Sequence, residues 1–205
     1  MKNTSIISLF VAGIGASAQM CIAADTLKPT QAEMVMKSSF KDRGQAKVDR
    51  LNQDETQRLC SQYPATRPKE IAKKIEALNM KLVKYPADGK MLGDWKEGEK
   101  IAQSGVGKQF SDNPAQPAGG NCYACHQLAM QEIAFGNIGP SLHNYGKLRG
   151  NTEAIQKYTF GKIYNAEAYS ACTNMPRFGH NGILTEEQIK HVTALLLDPN
   201  SPVNK

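Results

Sequence analysis

The sequence predicts an all-α chain, and three observations predict it. Apolar residues recur at helical spacing in several separate stretches. No stretch shows the strict alternation that a half-buried strand requires. Helix start and stop signals bracket the apolar runs, most fully around residues 184–202. The 205 residues leave room for one ordinary domain plus an extension. No internal repeat is present, and no interior apolar stretch is long enough to span a membrane.

Taken in order, residues 1–24 read as a secretory signal peptide. Lys2 supplies the positive start, an apolar run follows from Ile6 to Ile14, and small residues come next. Cleavage after Ala18 fits an A-x-A site, but cleavage after Ala23 or Ala24 also removes Cys21 and leaves an even four of the five cysteines. The later cut is therefore preferred. Ala18-Gln19-Met20 is a poor lipid-attachment sequence ahead of Cys21.

Residues 25–90 read as a helical extension. After a polar lead, a short helix is expected over residues 31–40. Val48, Leu51, Glu55 and Leu59 fall roughly on one helical face. Ile71, Ile75, Leu78 and Leu82 mark an amphipathic helix that starts near Pro68 and ends before Tyr85-Pro86. Pro86-Ala87-Asp88-Gly89 is a turn. The extension reads as packing on the main domain rather than as an independent functional module, and it could equally embrace a partner subunit.

Residues 91–205 form the main domain. Asp94 and Glu97 resemble a capping box at the start of a helix, and Gly98 admits a close neighbour. Gly105-Val106-Gly107 ends that helix, and a Pro/Gly-rich loop follows. Leu128, Met130 and Ile133 predict a short helix after His126. A turn comes at residues 137–142, then a helix over 152–165 with Ile155, Tyr158 and Ile163 inward. The last helix has Thr185 as N-cap, Gln188 as its capping-box partner, and Leu184 and Ile189 as a hydrophobic staple. Its buried face is Ile189, Val192, Leu195 and Leu196, and Pro199 and Pro202 stop it.

The chemistry is carried by Cys122-Tyr123-Ala124-Cys125-His126, the C-x-x-C-H pattern of covalent haem attachment. Two thiols at this spacing can each form a thioether to a haem vinyl group, and the adjacent imidazole is then held beneath the iron. A thioredoxin-like C-x-x-C needs a βαβ setting that is missing here, and a zinc site needs further Cys/His pairs at finger spacing. One such motif implies one haem c.

The second axial position sets much of the reduction potential. Met175 is the first candidate, in a loop about fifty residues on, with Pro176 restricting the backbone behind it. His180 is the alternative; His143 and His191 read as surface or structural residues, and Met130 as a core gap-filler. A thioether ligand favours ferrous iron and closes the sixth site, which suits electron transfer rather than oxygen chemistry. Pro140 offers a carbonyl acceptor for the far ring N–H of His126. Cys60 and Cys172 remain, to pair within the chain or with another chain in an oxidising compartment. The formal charge of +6 permits steering toward acidic proteins, but no Lys/Arg block with interleaved aromatics points to nucleic acid.

The Trp95 helix, C-x-x-C-H, the Gly139-Pro140 turn, the methionine loop and the terminal helix together resemble a class I cytochrome c. More narrowly, residues 119–126, 138–142, Met175-Pro176-Arg177-Phe178-Gly179 and residues 198–204 resemble the SoxX family, the monohaem subunits of SoxAX cytochromes. The resemblance covers residues 86–205 well and the extension less closely. It implies a periplasmic heterodimer with a SoxA-type dihaem or monohaem cytochrome, an L-cysteine S-thiosulfotransferase-type complex that oxidatively couples thiosulfate to a cysteine of the carrier SoxYZ. It further implies that chemistry occurs on the partner's haem. This chain would hold no catalytic residue and would pass electrons to a soluble cytochrome. The site residues carried over are Cys122 and Cys125 for the thioethers, and His126 and Met175 as axial ligands. Two other readings stand beside it: a free-standing soluble electron carrier, and a haem enzyme acting alone.

Overall fold

The computed structural model describes residues 31–64 and 66–205, so the expected leader over residues 1–24 lies outside the described residues. The backbone divides into two units, residues 1–40 and residues 41–205. In the first, the expected short helix forms as α1 (Ala32–Ser39), and none of its residues is buried.

The second unit carries α2 (Glu55–Gln62), α3 (Lys69–Met80), α4 (Trp95–Gln103), α5 (Tyr145–Arg149), α6 (Glu153–Tyr164) and α7 (Glu186–Leu197). Single 3₁₀ turns lie at Val48–Leu51, Cys122–Ala124, Ala166–Ala168 and Pro202–Asn204. Among the described residues the β-type pairing is one isolated bridge, Arg43 with Ala46. The fold is therefore all-α, as the periodicity implied. Among the described residues no helix is long and apolar enough to cross a membrane.

Two local expectations change. The apolar face from Val48 to Leu59 is split between a 3₁₀ turn and α2, because Asp54 begins a new helix. Its carboxylate accepts from the Gln57 amide while the Gln57 side chain accepts from the Asp54 amide, a complete capping box. By contrast, the box expected at Asp94 and Glu97 does not close. Asp94 accepts from the Lys96 amide, but its own N–H is donated to Nδ1 of His191 at 2.8 Å, and Glu97 pairs with Lys100.

That bond marks the central packing of the domain, α4 against α7. A Cβ on Gly98 would strike the His191 carbonyl oxygen and come within 3.0 Å of the Leu195 Cβ, so only glycine permits this approach. The core gathers Ala102 from α4, Phe160 and Ile163 from α6, and Ile189, Val192, Leu195, Leu196 and Leu197 from α7. Each fully buried Leu, Ile or Phe side chain contributes about 1.5–3 kcal/mol. The α7 capping box and staple form as expected: Thr185 and Gln188 exchange both bonds, and Leu184 and Ile189 are buried. Pro86 and Gly89 close the expected turn through Gly89 N–H to Pro86 C=O.

The tail after α7 closes the helix end. Asn204 Nδ2 donates to the Leu196 and Asp198 carbonyls, while its Oδ1 accepts from the Gly146 and Lys147 amides of α5. Helix C-termini leave carbonyls without intrahelical partners, and one buried side chain serves them here.

Candidate haem site

The attachment motif is a tight turn built almost wholly from its own backbone. Asn121 takes a left-handed conformation at φ 47°, which asparagine tolerates better than most residues. It reverses the chain after Gly120, whose N–H bonds the Ile101 carbonyl at the end of α4. The amides of Cys125 and His126 then both donate to the Cys122 carbonyl. Cys122 and Cys125 are unpaired thiols. Burial pushes the Cys122 thiol up to about 12, so it is held as neutral S–H away from water. Between the cysteines, Tyr123 is buried and its hydroxyl donates to Glu99 of α4 at 3.3 Å. Burial raises the Glu99 carboxyl, and its second oxygen has no partner among the described residues.

His126 is oriented from behind. Its Nδ1 lies 2.7 Å from the Pro140 carbonyl oxygen. A carbonyl only accepts, so Nδ1 carries the proton and Nε2 keeps its lone pair free for a metal. The expected partner for His126 is therefore in place. Gly139 makes the approach possible, since a Cβ there would run into the imidazole ring.

The short helix expected after His126 does not form. The amides of Gly136, Gly139 and Leu142 donate back to Tyr123, Cys125 and Gln127, so residues 127–142 fold as a loop laid against the motif. Leu128 anchors it with no exposed surface. Met130, read from sequence as a core filler, is instead 62% exposed, and Ile133 is 99% exposed.

Met175 lies in the loop between α6 and α7, partly buried, and packs on the same core cluster as Cys122 and Leu142. Pro176 follows it, and the Met175 amide donates to Thr173 Oγ1. His180, the alternative ligand, is drawn to a different environment. Burial lowers its pKa, with the Arg177 and Lys84 charges acting in the same direction and Asp54 opposing. Of the other histidines, His191 is engaged by Asp94 at Nδ1, and His143 Nε2 lies 2.9 Å from Asn144 Nδ2. Both are structural, as expected.

Cys60 and Cys172 are joined within the chain, with Cα atoms 5.5 Å apart and a separation of 112 positions in sequence. This settles an alternative that spacing had left open. Beside the bond, a cavity of about 350 Å³ is lined by Thr56 and Gln57 of α2 and by Cys172, Met175, Arg177 and Asn181.

The donor set fits a covalently held haem. Two half-buried thiols flank the buried Tyr123, an imidazole presents its free nitrogen, and a thioether packs on the same core. Residues 106–198 match the cytochrome c family. The chain carries a cytochrome c domain. Over its whole length it belongs to the same family as a protein of Aquifex aeolicus (strain VF5) described as an uncharacterized lipoprotein, at 35% identity over 216 residues that cover both chains completely. The cytochrome c domain makes the protein an electron-transfer protein with covalently bound haem c. The matched segment takes in the motif, the Pro140 turn, Met175 and all of α7.

Sequence reading missed the groups that hold these residues from a distance: Glu99 on Tyr123, Asn204 at the end of α7, and Asp54 on Arg177. Asp54 alone left a signal, its capping pattern with Gln57, and that signal spoke of α2 rather than of the methionine loop.

Proposed function

We propose that this chain is the electron-transfer subunit of a periplasmic SoxAX-type cytochrome, which oxidatively conjugates thiosulfate to a cysteine of a SoxYZ-type carrier. Bound haem supplies reversible one-electron transfer between ferric and ferrous iron. Cys122 and Cys125 hold one haem through thioethers. His126 ligates through Nε2, and the Pro140 carbonyl fixes its ring and raises its basicity. Met175 would supply the second protein ligand, which would leave no position open to substrate, so the substrate would be transformed on the partner's haem. The observation that carries the reading is the donor set on a cytochrome c domain whose flanking blocks, residues 138–142, 175–179 and 198–204, resemble those of the SoxX family.

Export through the leader, with cleavage after Ala23 or Ala24, completes the reading. The Aquifex relative is described as a lipoprotein, but Met20 precedes Cys21 here in a poor attachment sequence.

The test is co-expression with candidate SoxA-type partners, size-exclusion chromatography read at the haem absorbance, and an intact mass of the mature chain. Co-elution with a second cytochrome and a mass carrying one haem are expected. A chain that runs alone and monomeric with every partner is a free carrier, and the subunit reading fails.

A further inference from the structure

We propose that the extension positions the axial methionine: α2 and α3 brace the Met175 loop through the Cys60–Cys172 disulfide and the Asp54–Arg177 ion pair, on either side of Met175. The inference rests on the reading of Met175 as an iron ligand and gives residues 54–79 a role in the site.

The loop from Asn165 to Arg177 has little regular structure of its own beyond the turn Ala166–Ala168. It is held from outside at four points. At its start, Asn165 Nδ2 donates to Asn79 Oδ1 of α3, and Asn79 Nδ2 donates to Thr56 Oγ1 of α2, all with buried side chains. Midway, the Ala171 amide donates to Glu76 of α3. Three residues before Met175, Cys172 is covalently fixed to α2. Two residues after it, the buried Arg177 guanidinium is paired with the N-cap carboxylate of α2.

The geometry has a chemical consequence. A methionine thioether is a weak, neutral ligand on a flexible side chain, so its occupancy depends on how firmly the backbone keeps it in place. A free loop pays chain entropy each time it docks. A loop pinned three residues upstream and two downstream has little freedom left to lose. The cavity of about 350 Å³ beside Met175 also gives the side chain somewhere to go once the pins are removed. Cys60, Cys172, Asp54 and Arg177 are thus positioning residues for Met175.

The experiment compares the oxidised holoprotein with three variants: Met175→Ala, Cys60→Ser with Cys172→Ser, and Asp54→Asn. Asparagine keeps the α2 N-cap while removing the charge. The readouts are the weak near-infrared thioether-to-iron band, scaled to haem content, and the reduction potential. Met175→Ala is expected to abolish the band. The disulfide variant is expected to lose most of the band and shift to lower potential while keeping its covalent haem. Asp54→Asn is expected to lose a smaller part. Should the disulfide variant fail to fold, Asp54→Asn carries the comparison alone. A wild-type protein without the band overturns the Met175 reading and the brace with it. A wild-type band that persists unchanged, at unchanged potential, in the folded brace variants overturns the brace alone.

Discussion

The two sides of the haem site are specified in opposite ways. On the attachment side, every chemical group lies within five consecutive residues, and the turn that presents them is closed by bonds from the Ala124 amide to Asn121 and from the Cys125 and His126 amides to Cys122. On the side of Met175, proposed above as the second ligand, the loop is held by groups far away in sequence: Cys60 across 112 positions and Asp54 across 123. A local turn costs little chain entropy to close, whereas long-range closure costs more with each added residue and needs a strong tie. The disulfide and the ion pair supply such ties. The first side can be read from a motif, and the second only from the folded chain.

The largest effect tests the local side. Replacing Cys122 and Cys125 together by Ala is expected to abolish covalent haem entirely, so that a denaturing gel stained for haem shows no band at the chain's mass. Replacing only one leaves a single thioether, and some haem is expected to stay attached. The α2–α3 brace contains no motif residue, so the Cys60–Cys172 bond is expected to persist in the double variant. Loss of that disulfide, seen by peptide mapping without reduction, would show that the two sides are not independent.

A smaller effect sharpens the same contrast by disturbing the histidine without touching the motif. Gly139→Ala places a methyl group in the imidazole ring of His126. Overpacking of this kind costs about 1–3 kcal/mol, and here the ring is the part able to give. The expected outcome is a stability loss of that order in denaturant titration, with the His126–Pro140 bond weakened and the potential shifted. The near-infrared methionine band should be retained, since the Met175 loop is fixed elsewhere. Unchanged stability and potential would mean that the ring has more room than the structure gives it.

The same contrast explains how much was readable in advance. The motif is legible because its residues are consecutive; the Thr185–Gln188 box, the Leu184–Ile189 staple and the Gly98 crossing depend on neighbours a few residues apart or on one residue's lack of a side chain, and these three stand as expected. The apolar face from Val48 to Leu59 is split by a local box, Asp54 with Gln57, but the other two misreadings share a cause, a competitor for a backbone group that lies outside the local pattern. His191 takes the Asp94 N–H that a local capping box would use. The carbonyls of Tyr123 and Cys125 take the amides of Gly136 and Gly139 and fold the 127–142 segment back as a loop, which leaves Ile133 in solvent where a helical pattern had implied packing. The partner of Cys60, the brace on Arg177 and the Asn204 cap lay beyond any local pattern for the same reason.

The smallest effect concerns the charge half of the brace. Burial raises the Asp54 carboxyl, but the Gln57 amide and the hydrogen bond and charge of Arg177 outweigh it, with His180 adding slightly, so it lies below its ordinary value of 3.8. A carboxyl depressed in the folded state stabilises the fold fully above its unfolded value, and that contribution fades as pH falls through the folded one. His180, lowered first by burial, is also coupled to Asp54, whose charge opposes that lowering. It resists protonation in the folded state, so both the native protein and Asp54→Asn lose stability from its ordinary value of 6.5 downward. With His180→Gln introduced into both proteins, which removes that coupling, the difference between them isolates Asp54. Because the Asp54 side chain is 41% exposed, solvent screening limits the difference to about 0.5–1 kcal/mol. It is expected to stay level from pH 7 to about pH 5 and to shrink toward zero below the ordinary carboxylate range near 3.8. Denaturant titrations of both proteins across that interval make the check. A difference that instead grew on acidification would mean that Asp54 is stabilised in its protonated form, and the carboxylate would then not be what holds Arg177 beside Met175.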